Sequence, residues 1–168
     1  MRRLTACLGL AALTLAAGGC LATAPVLERT ARGPSAEEFF IQQSYATNGR
    51  PPNFDEKRVW QYQMDDKVFK YLREHPELEA TSRYTEFRFW RQVTTGSTHG
   101  EVKVLLGDPR ERTIDPALMA ALGEQHWTAV RASAKEAWVY PLCWVVFFDD
   151  KGVVDLLRRV SPLSARDE

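Results

Sequence analysis

The chain carries, at positions 96–109, the segment GSTHGEVKVLLGDP, which predicts a short helix with a defined start and end. Thr98 precedes Glu101 by three residues, the spacing of a capping box in which each side chain bonds the other residue's backbone N–H. Apolar residues inside the segment recur at i, i+3 and i+4, as on one face of a helix. Gly107 favours a left-handed helix end, and Pro109 cannot continue the helix.

Three strand patterns follow this helix, at residues 137–140, 144–148 and 153–157. The middle pattern, WVVFF, is apolar at every position, so both of its faces should be covered and it should lie at the centre of a sheet. Gly152 falls in the short turn before the third strand, as expected of a hairpin. The third strand becomes more polar towards residue 160, which predicts an edge of the sheet.

Helix and strands together resemble the SmpA/OmlA family of small outer-membrane lipoproteins over residues 82–160. The resemblance is carried by the order Gly-x-Thr-x-x-Glu-Val-x-x-Leu-Leu-Gly-x-Pro, then Trp-x-Tyr, then the turn before the last strand. Its residues are Gly96, Thr98, Glu101, Gly107, Pro109, Trp138, Tyr140 and Gly152. The pair His99-Gly100, Ser97 where the family usually has Met, and an insertion at 114–135 depart from the pattern. The resemblance implies an α+β fold and binding to envelope proteins such as the outer-membrane β-barrel assembly machinery.

The predicted fold class is α+β, with helices packed on one face of a three-stranded antiparallel sheet and an extra N-terminal helix. Residues 36–81 form the predicted helical extension, with a short helix at 36–45 and a long one at 55–74. The long helix has an apolar stripe that either binds a partner or packs on the domain's own core, and we expect the second. Another helix is predicted at 81–93.

A sheet of three strands needs a cover on its second face, because its central strand is apolar on both sides. Either the extra N-terminal helix or a partner protein supplies that cover, and we expect the helix. Within the insertion, Asp115 followed by Pro116 predicts the start of a further short helix, and Trp127 is expected to anchor the remainder on the core.

Residues 1–19 have the pattern of a secretory signal: positive residues, an apolar run too short to span a bilayer, then small residues. Because the small residues end at Cys20, they resemble a lipobox, which implies that Cys20 is acylated. The alternative is an ordinary signal peptide with an incidental cysteine. Leu21, where Asp would imply inner-membrane retention, favours the outer membrane. Residues 20–35 are expected to form a flexible tether and residues 161–168 a disordered tail.

Charge and cysteine content exclude several classes of protein. The chain has 22 basic and 22 acidic residues without a basic run, so the electrostatic footprint of nucleic-acid binding is missing. Cys7 would leave with the signal and Cys20 would carry lipid, which leaves Cys143 without an intrachain disulfide partner. Cys143 adjoins an apolar strand, and we expect it to be a small buried side chain with a shielded thiol.

No catalytic or metal-binding pattern is present in the sequence. The segment at 96–100 has Thr98 where a nucleophile elbow needs Ser, and helix capping explains that residue better. His75, His99 and His126 are far apart and lack metal-type spacing to other ligands. We therefore expect no enzymatic activity, no cofactor and no bound metal.

These features predict a lipoprotein anchored to the periplasmic face of the bacterial outer membrane. Its expected function is that of a non-catalytic protein-binding module in cell-envelope or outer-membrane β-barrel protein assembly. The alternative is an inhibitor or sensor module on the same scaffold that binds an unrelated envelope protein, since one fold can serve many functions.

Overall fold

The structure, a computed structural model, describes residues 26–160, so the predicted signal peptide, Cys20 and the predicted tail at 161–168 lie outside the described residues. The strands are β1 Val26–Thr30, β2 Arg32–Ser35, β3 Gln92–Thr94, β4 Glu111–Thr113, β5 Glu136–Tyr140, β6 Trp144–Phe148 and β7 Val153–Val160. The α-helices are α1 Ala36–Asn48, α2 Phe54–Glu74, α3 His99–Leu106, α4 Pro116–Gly123 and α5 Trp127–Val130. Short 3-10 helices cover Pro76–Ala80 and Glu124–His126, and one π-helical turn covers Glu86–Trp90.

The main sheet has five antiparallel strands in the order β1-β7-β6-β5-β4. The α+β class and the three predicted strands are confirmed, and β6 is central as predicted. The predicted total of three strands is wrong, because β1 and β4 add one strand on each side. β1 lies in a segment without an apolar period, and β4 has only three residues, too few to show one.

β1 and β2 also correct two expectations about the ends of the domain. Residues 26–35, predicted as part of the tether, form these two strands, and β2 pairs with β3 in a separate two-stranded sheet. β7 is not an edge strand, because β1 pairs along it. Its buried Asp155 accepts a hydrogen bond from Arg29 of β1 at 2.6 Å, across a sequence separation of 126 residues. The polar residue that suggested a solvent-facing edge is therefore paired with a distant arginine.

β6 supplies alternate side chains to two apolar cores, one on each face of the sheet. Trp144, Val146 and Phe148 belong to the first core, and Val145 and Phe147 belong to the second. No side chain of this strand is more than 7% exposed. Full burial of such side chains stabilises the folded state by about 1.5–3 kcal/mol each.

The second face of the sheet is covered by the insertion at residues 114–135. Met119 of α4 and Val130 of α5 are buried in the second core, and the ring of Trp127 lies 6.2 Å from that of Phe147. Asp115 caps α4 as predicted, by accepting the N–H of Ala117 at 2.8 Å. The expectation that helices pack on one face only is therefore wrong.

α2 packs on the first face, beside α3. It does not cover the second face, so the expectation that it would do so is wrong. Its stripe does pack on the protein's own core, with Met64, Val68 and Leu72 buried and Trp60 and Tyr71 partly buried. The bounds of this helix agree with the prediction of 55–74, because Asn53 and Glu56 form a capping box at its start.

The first helix is confirmed and is longer than predicted. The expected range was 36–45, and α1 continues to Asn48 before Gly49 ends it. Ser35 and Glu38 form a capping box at its start, so the same residue ends β2 and begins the helix. The strand that precedes α1 therefore fixes where the helix begins.

The predicted helix at 81–93 is confirmed only in part. Residues 84–90 are helical, with the π-helical turn at Glu86–Trp90, while a turn precedes them and β3 follows them. Arg91 adopts φ 48°, which ends the turn, and the next three residues pair with β2. The strand partner lies in a segment that the sequence assigned to the tether, so local helical spacing could not reveal this pairing.

The segment at 96–109 folds into the predicted helix α3 with the predicted ends. Thr98 is the N-cap and accepts the N–H of Glu101 at 3.2 Å. Gly107 adopts φ 79° and ψ −164°, a combination open almost only to glycine, and the chain then turns through Pro109 into β4.

The entry to α3 is bonded to the hairpin that joins β6 and β7. Gly96 donates to the carbonyl of Val153 at 2.6 Å, and Val153 donates to the carbonyl of Ser97 at 2.7 Å. Gly152 lies so close that a Cβ there would meet the Ser97 carbonyl oxygen at 2.5 Å. Gly152 is therefore required for this close approach of two backbone segments.

Cys143 is exposed, which corrects the expectation of a shielded thiol. The residue lies in the turn between β5 and β6, one position before the buried strand begins, and adopts φ 63°. Its neighbours in sequence suggested burial, but the turn directs the chain away from the core.

The contact at Gly152 predicts the effect of a small substitution. Gly152→Ala should lower the free energy of unfolding by about 1–3 kcal/mol, because the added methyl group forces the β6–β7 turn away from Ser97. The measurement is chemical denaturation with far-ultraviolet circular dichroism. Lys151→Ala, an exposed position in the same turn, should change stability by less than about 0.5 kcal/mol. Equal stability of the two variants would contradict the close approach.

Candidate functional site

A polar network joins α2 to the start of α3. The hydroxyl groups of Tyr71 and Thr98 lie 3.1 Å apart, and the Thr98 hydroxyl lies 3.3 Å from Glu101 Oε1. Arg83 Nη1 lies 3.5 Å from the same carboxylate oxygen. Thr98 thus forms its half of the predicted capping box, but the reciprocal bond is not formed, because Glu101 Oε1 contacts the Thr98 hydroxyl and Arg83.

Glu101 is fully buried, which is unusual for a carboxylate. Burial raises the pKa of Glu101, against the lowering effects of Arg83 and of the Thr98 hydrogen bonds. Its Oε2 atom and Arg83 Nη1 find no hydrogen-bond partner among residues 26–160. Burial also raises the pKa of Tyr71, although its hydrogen bond with Thr98 lowers it. The network borders an open cleft of about 510 Å³, but the buried carboxylate does not present itself to solvent.

Two further residues of the resemblance, Tyr140 and Trp138, lie on β5 and contact opposite ends of α3. Tyr140 is buried in β5 and donates its hydroxyl hydrogen to the carbonyl of Gly107 at 3.0 Å, and burial raises its pKa. Trp138 Nε1 donates to Glu136 at 2.6 Å. Each of these contacts fixes a part of the fold.

His99 has a packing role that the sequence did not predict. Its ring stacks on Phe148, with ring centroids 4.1 Å apart, and meets the edge of Trp138 at 5.1 Å. Its Nε2 atom lies 3.3 Å from Glu136 Oε2. His75 instead contacts Tyr71 and Glu77, and His126 contacts the carbonyl of Leu27. The three histidines therefore lie in separate places.

Besides Phe54 at the first position of α2, four exposed aromatic side chains lie on α2 and on the π-helical turn beside it. Tyr62 and Phe69 are 70% and 44% exposed, and Phe89 and Trp90 are 63% and 68% exposed. The guanidinium of Arg88 bridges the two elements, at 4.5 Å from the Phe69 ring and 5.3 Å from the Phe89 ring. We call these four aromatic residues and Arg88 the aromatic surface.

The aromatic surface is held in place by an ion pair. Arg91, which ends the π-helical turn, donates to Asp65 of α2, and its guanidinium lies 5.8 Å from the Trp60 ring. Tyr62 and Phe69 are seven residues apart, which places them on the same side of α2. Aromatic and arginine side chains are the types enriched at the energetic centres of protein interfaces.

A groove of about 580 Å³ opens between α1 and α2, next to Trp60. The rings of Phe40 and Trp60 stack with centroids 4.8 Å apart and form part of its wall. Amide and hydroxyl side chains from α1, together with Asp55 and Glu56 of α2, line the rest. The groove has the apolar wall and polar rim of a binding cleft.

The described residues contain few other features that point to chemistry. Within residues 26–160, no three His, Cys, Asp or Glu side chains are grouped so that they could bind a metal ion. None of the helices in that range combines the length and the apolar composition needed to cross a membrane. Cys20, the predicted lipidation site, lies outside the described residues.

Comparison with protein-family models, with curated proteins and with solved structures finds no match to this chain.

The aromatic surface was not predicted as a site from the sequence. The spacing placed the aromatic residues at 84–90 on the face of a predicted helix, and the π-helical turn exposes two of them. The high aromatic content of that short segment, together with Arg88, was the signal that could have identified it.

The buried carboxyl group of Glu101 predicts a specific pH dependence. Its pKa in the folded protein is raised above the ordinary value of 4.5, so the folded state binds the proton more tightly than the unfolded state does. The stability that Glu101 contributes should therefore decrease as pH rises from about 4.5 through the raised pKa. Relative to Glu101→Gln, which does not titrate, the wild type should lose unfolding free energy between acidic and neutral pH in denaturant titrations.

Glu136→Gln is the matched control, because the pH dependence that Glu136 contributes to stability should have the opposite sign. Burial acts to raise the pKa of Glu136, but hydrogen bonds from Trp138 and Arg112 lower it overall. Its contribution should therefore be lost as pH falls through the lowered pKa. If the unfolding free energies of the wild type and of Glu101→Gln changed with pH in the same way, Glu101 would not be buried as the structure describes.

Proposed function

We propose that this protein is a lipoprotein anchored at Cys20 to the periplasmic face of the outer membrane, where it acts as a non-catalytic protein-binding module. Its expected partners are envelope proteins, and the resemblance of residues 82–160 to the SmpA/OmlA family favours the outer-membrane β-barrel assembly machinery among them. The observation that carries the binding role is the aromatic surface, which displays four aromatic side chains to solvent.

The aromatic surface supports binding to a protein for a physical reason. Large aromatic side chains bury much apolar area at little cost in conformational entropy, and a guanidinium can bond a partner's carboxylates or carbonyls. The described part of the chain already covers both faces of the sheet with its own helices. The exposed aromatic residues are therefore not needed to close the protein's own core.

The polar network supports a non-catalytic role. Glu101 is fully buried and Thr98 caps α3, so both have structural tasks. A general acid or base must come within hydrogen-bond reach of a substrate, and a fully buried carboxyl group is badly placed for that.

The lipid anchor is tested by Cys20→Ala. We expect the wild-type protein to incorporate labelled fatty acid and to fractionate with the outer membrane, and the variant to lose both properties because no other residue carries the proposed acyl groups. Cys143→Ser is the control and should behave as wild type. Undiminished fatty-acid labelling of Cys20→Ala would end the lipoprotein proposal.

The binding role is tested by Phe89→Ser combined with Trp90→Ser. Both side chains are largely exposed, so the double variant should keep the wild-type melting temperature while losing photocrosslinks to envelope proteins in intact cells. Ile114→Ser removes an apolar side chain that is 75% exposed elsewhere on the surface and serves as the matched control.

The same variants should differ in their ability to complement a strain from which the gene has been deleted. Deletion should weaken the outer-membrane barrier to large antibiotics and detergents, and the Ile114→Ser protein should restore it while the double variant should not. Full restoration by the double variant would reject the aromatic surface as the binding site. Loss of complementation from one His, Asp or Glu substitution that leaves the fold intact would favour an enzyme instead.

A further inference from the structure

The turn between β5 and β6 lies at the same end of the sheet as the start of β1. Val26 pairs with Val160 at that end, and Leu27 pairs with Arg159. The N–H of Arg159 also donates to the carbonyl of Cys143 at 3.0 Å. Adjacent strands are about 4.8 Å apart, so Cys143, on the β6 side of the turn, is separated sideways from the start of β1 by only about 10 Å.

This turn, Pro141–Leu142–Cys143, exposes apolar side chains in an unusual backbone conformation. All three residues are exposed, and Leu142 and Cys143 adopt φ values of 64° and 63°. Turns of this kind usually place Gly, Asn or Asp at positive φ, because other side chains are disfavoured there. Leu142 borders a hollow that Phe39 and Leu106 also line, and 36% of its side chain stays exposed where a polar residue would fit the backbone better. This exposed part points to a function for the apolar side chain.

The length of chain before β1 fixes how far this end lies from the proposed lipid anchor. Cys20 and Val26 are six positions apart, and six residues span at most about 20 Å in any conformation. A sixteen-residue tether was expected from the sequence, and most of it belongs to β1 and β2. Given an acylated Cys20, the start of β1 must lie within that distance of the bilayer surface.

We propose that the turn Pro141–Leu142–Cys143, together with the exposed Val26, rests in the headgroup region of the membrane that holds the lipid anchor. The proposal rests on the proposed lipoprotein function and adds an orientation to it. In this orientation the β5–β6 turn faces the bilayer and the β6–β7 turn faces away from it. The partner at this surface is the lipid bilayer itself.

The charges near the turn favour an apolar contact over recognition of charged lipids. Arg110 and Arg158 are exposed at this end, and the acidic residues Glu28, Asp108 and Glu111 are exposed there as well. With both signs present, the contact should be insensitive to ionic strength. Contact with zwitterionic phosphatidylcholine is therefore expected to suffice.

The test uses the full lipidated protein in phosphatidylcholine vesicles, with an environment-sensitive fluorophore on Cys143. Acylation of Cys20 and removal of the signal leave Cys143 as the one reactive thiol. Lipids with a quencher in the headgroup region should remove most of the emission, at low and high salt alike. The matched control is Cys143→Ser with Lys151→Cys, which carries the same fluorophore in the exposed β6–β7 turn and should keep its emission.

Leu142→Asn tests whether the native side chain makes the contact or the fluorophore does. Asparagine tolerates positive φ, so this variant should keep or raise the melting temperature while it reduces quenching at Cys143. Undiminished quenching in Leu142→Asn, or equal quenching at positions 143 and 151, would overturn the proposal. The proposal would also be overturned if the fluorophore were shielded from solvent in native membranes but not quenched in vesicles. That result would assign the turn to a protein partner.

The two proposals fail in different measurements. Absence of fatty-acid labelling at Cys20 rejects the lipoprotein function itself. If labelling and outer-membrane fractionation are normal but the fluorophore at Cys143 is fully exposed to solvent, only the membrane contact of the turn is rejected.

Discussion

The structure depends on one constraint, which is that β6 has no polar face. Each of its five side chains is buried, and successive side chains enter opposite cores. A sheet built around such a strand is stable only if both faces are covered, because exposed apolar area of this size costs several kcal/mol. α2 and α3 meet this need on one face, and α4 and α5 meet it on the other.

The position of α3 follows from bonds at both of its ends. Its entry is bonded to Val153 of β7, and its exit accepts a hydrogen bond from Tyr140 of β5. These ties hold Thr98 and Glu101 against α2, which is why a carboxyl group can be fully buried there. The residues of the sequence motif therefore stabilise the fold, and the surfaces proposed for binding lie elsewhere.

The surfaces proposed for function lie on different parts of the domain. The aromatic surface is built from the solvent side of α2 and the π-helical turn, while the apolar turn lies at one end of the sheet next to the start of β1. A protein tethered by a few residues has a restricted orientation, so membrane contact at one end would leave the long side of α2 free for a partner. Both surfaces use exposed apolar side chains that the two cores do not require.

The sequence by itself determined those elements whose signals are local. It defined α3 by its cap and its glycine, α2 by its stripe, and β6 as a central strand by its unbroken apolar run. Only the tertiary structure decided what depends on distant pairing: that residues 26–35 are strands, that the insertion covers the second core, and that the segment at 81–93 ends in a strand. The exposure of Cys143 and of the aromatic surface was decided in the same way. Periodicity shows that a residue has an apolar neighbour but not which one, because strand pairing joins segments that lie far apart in the chain.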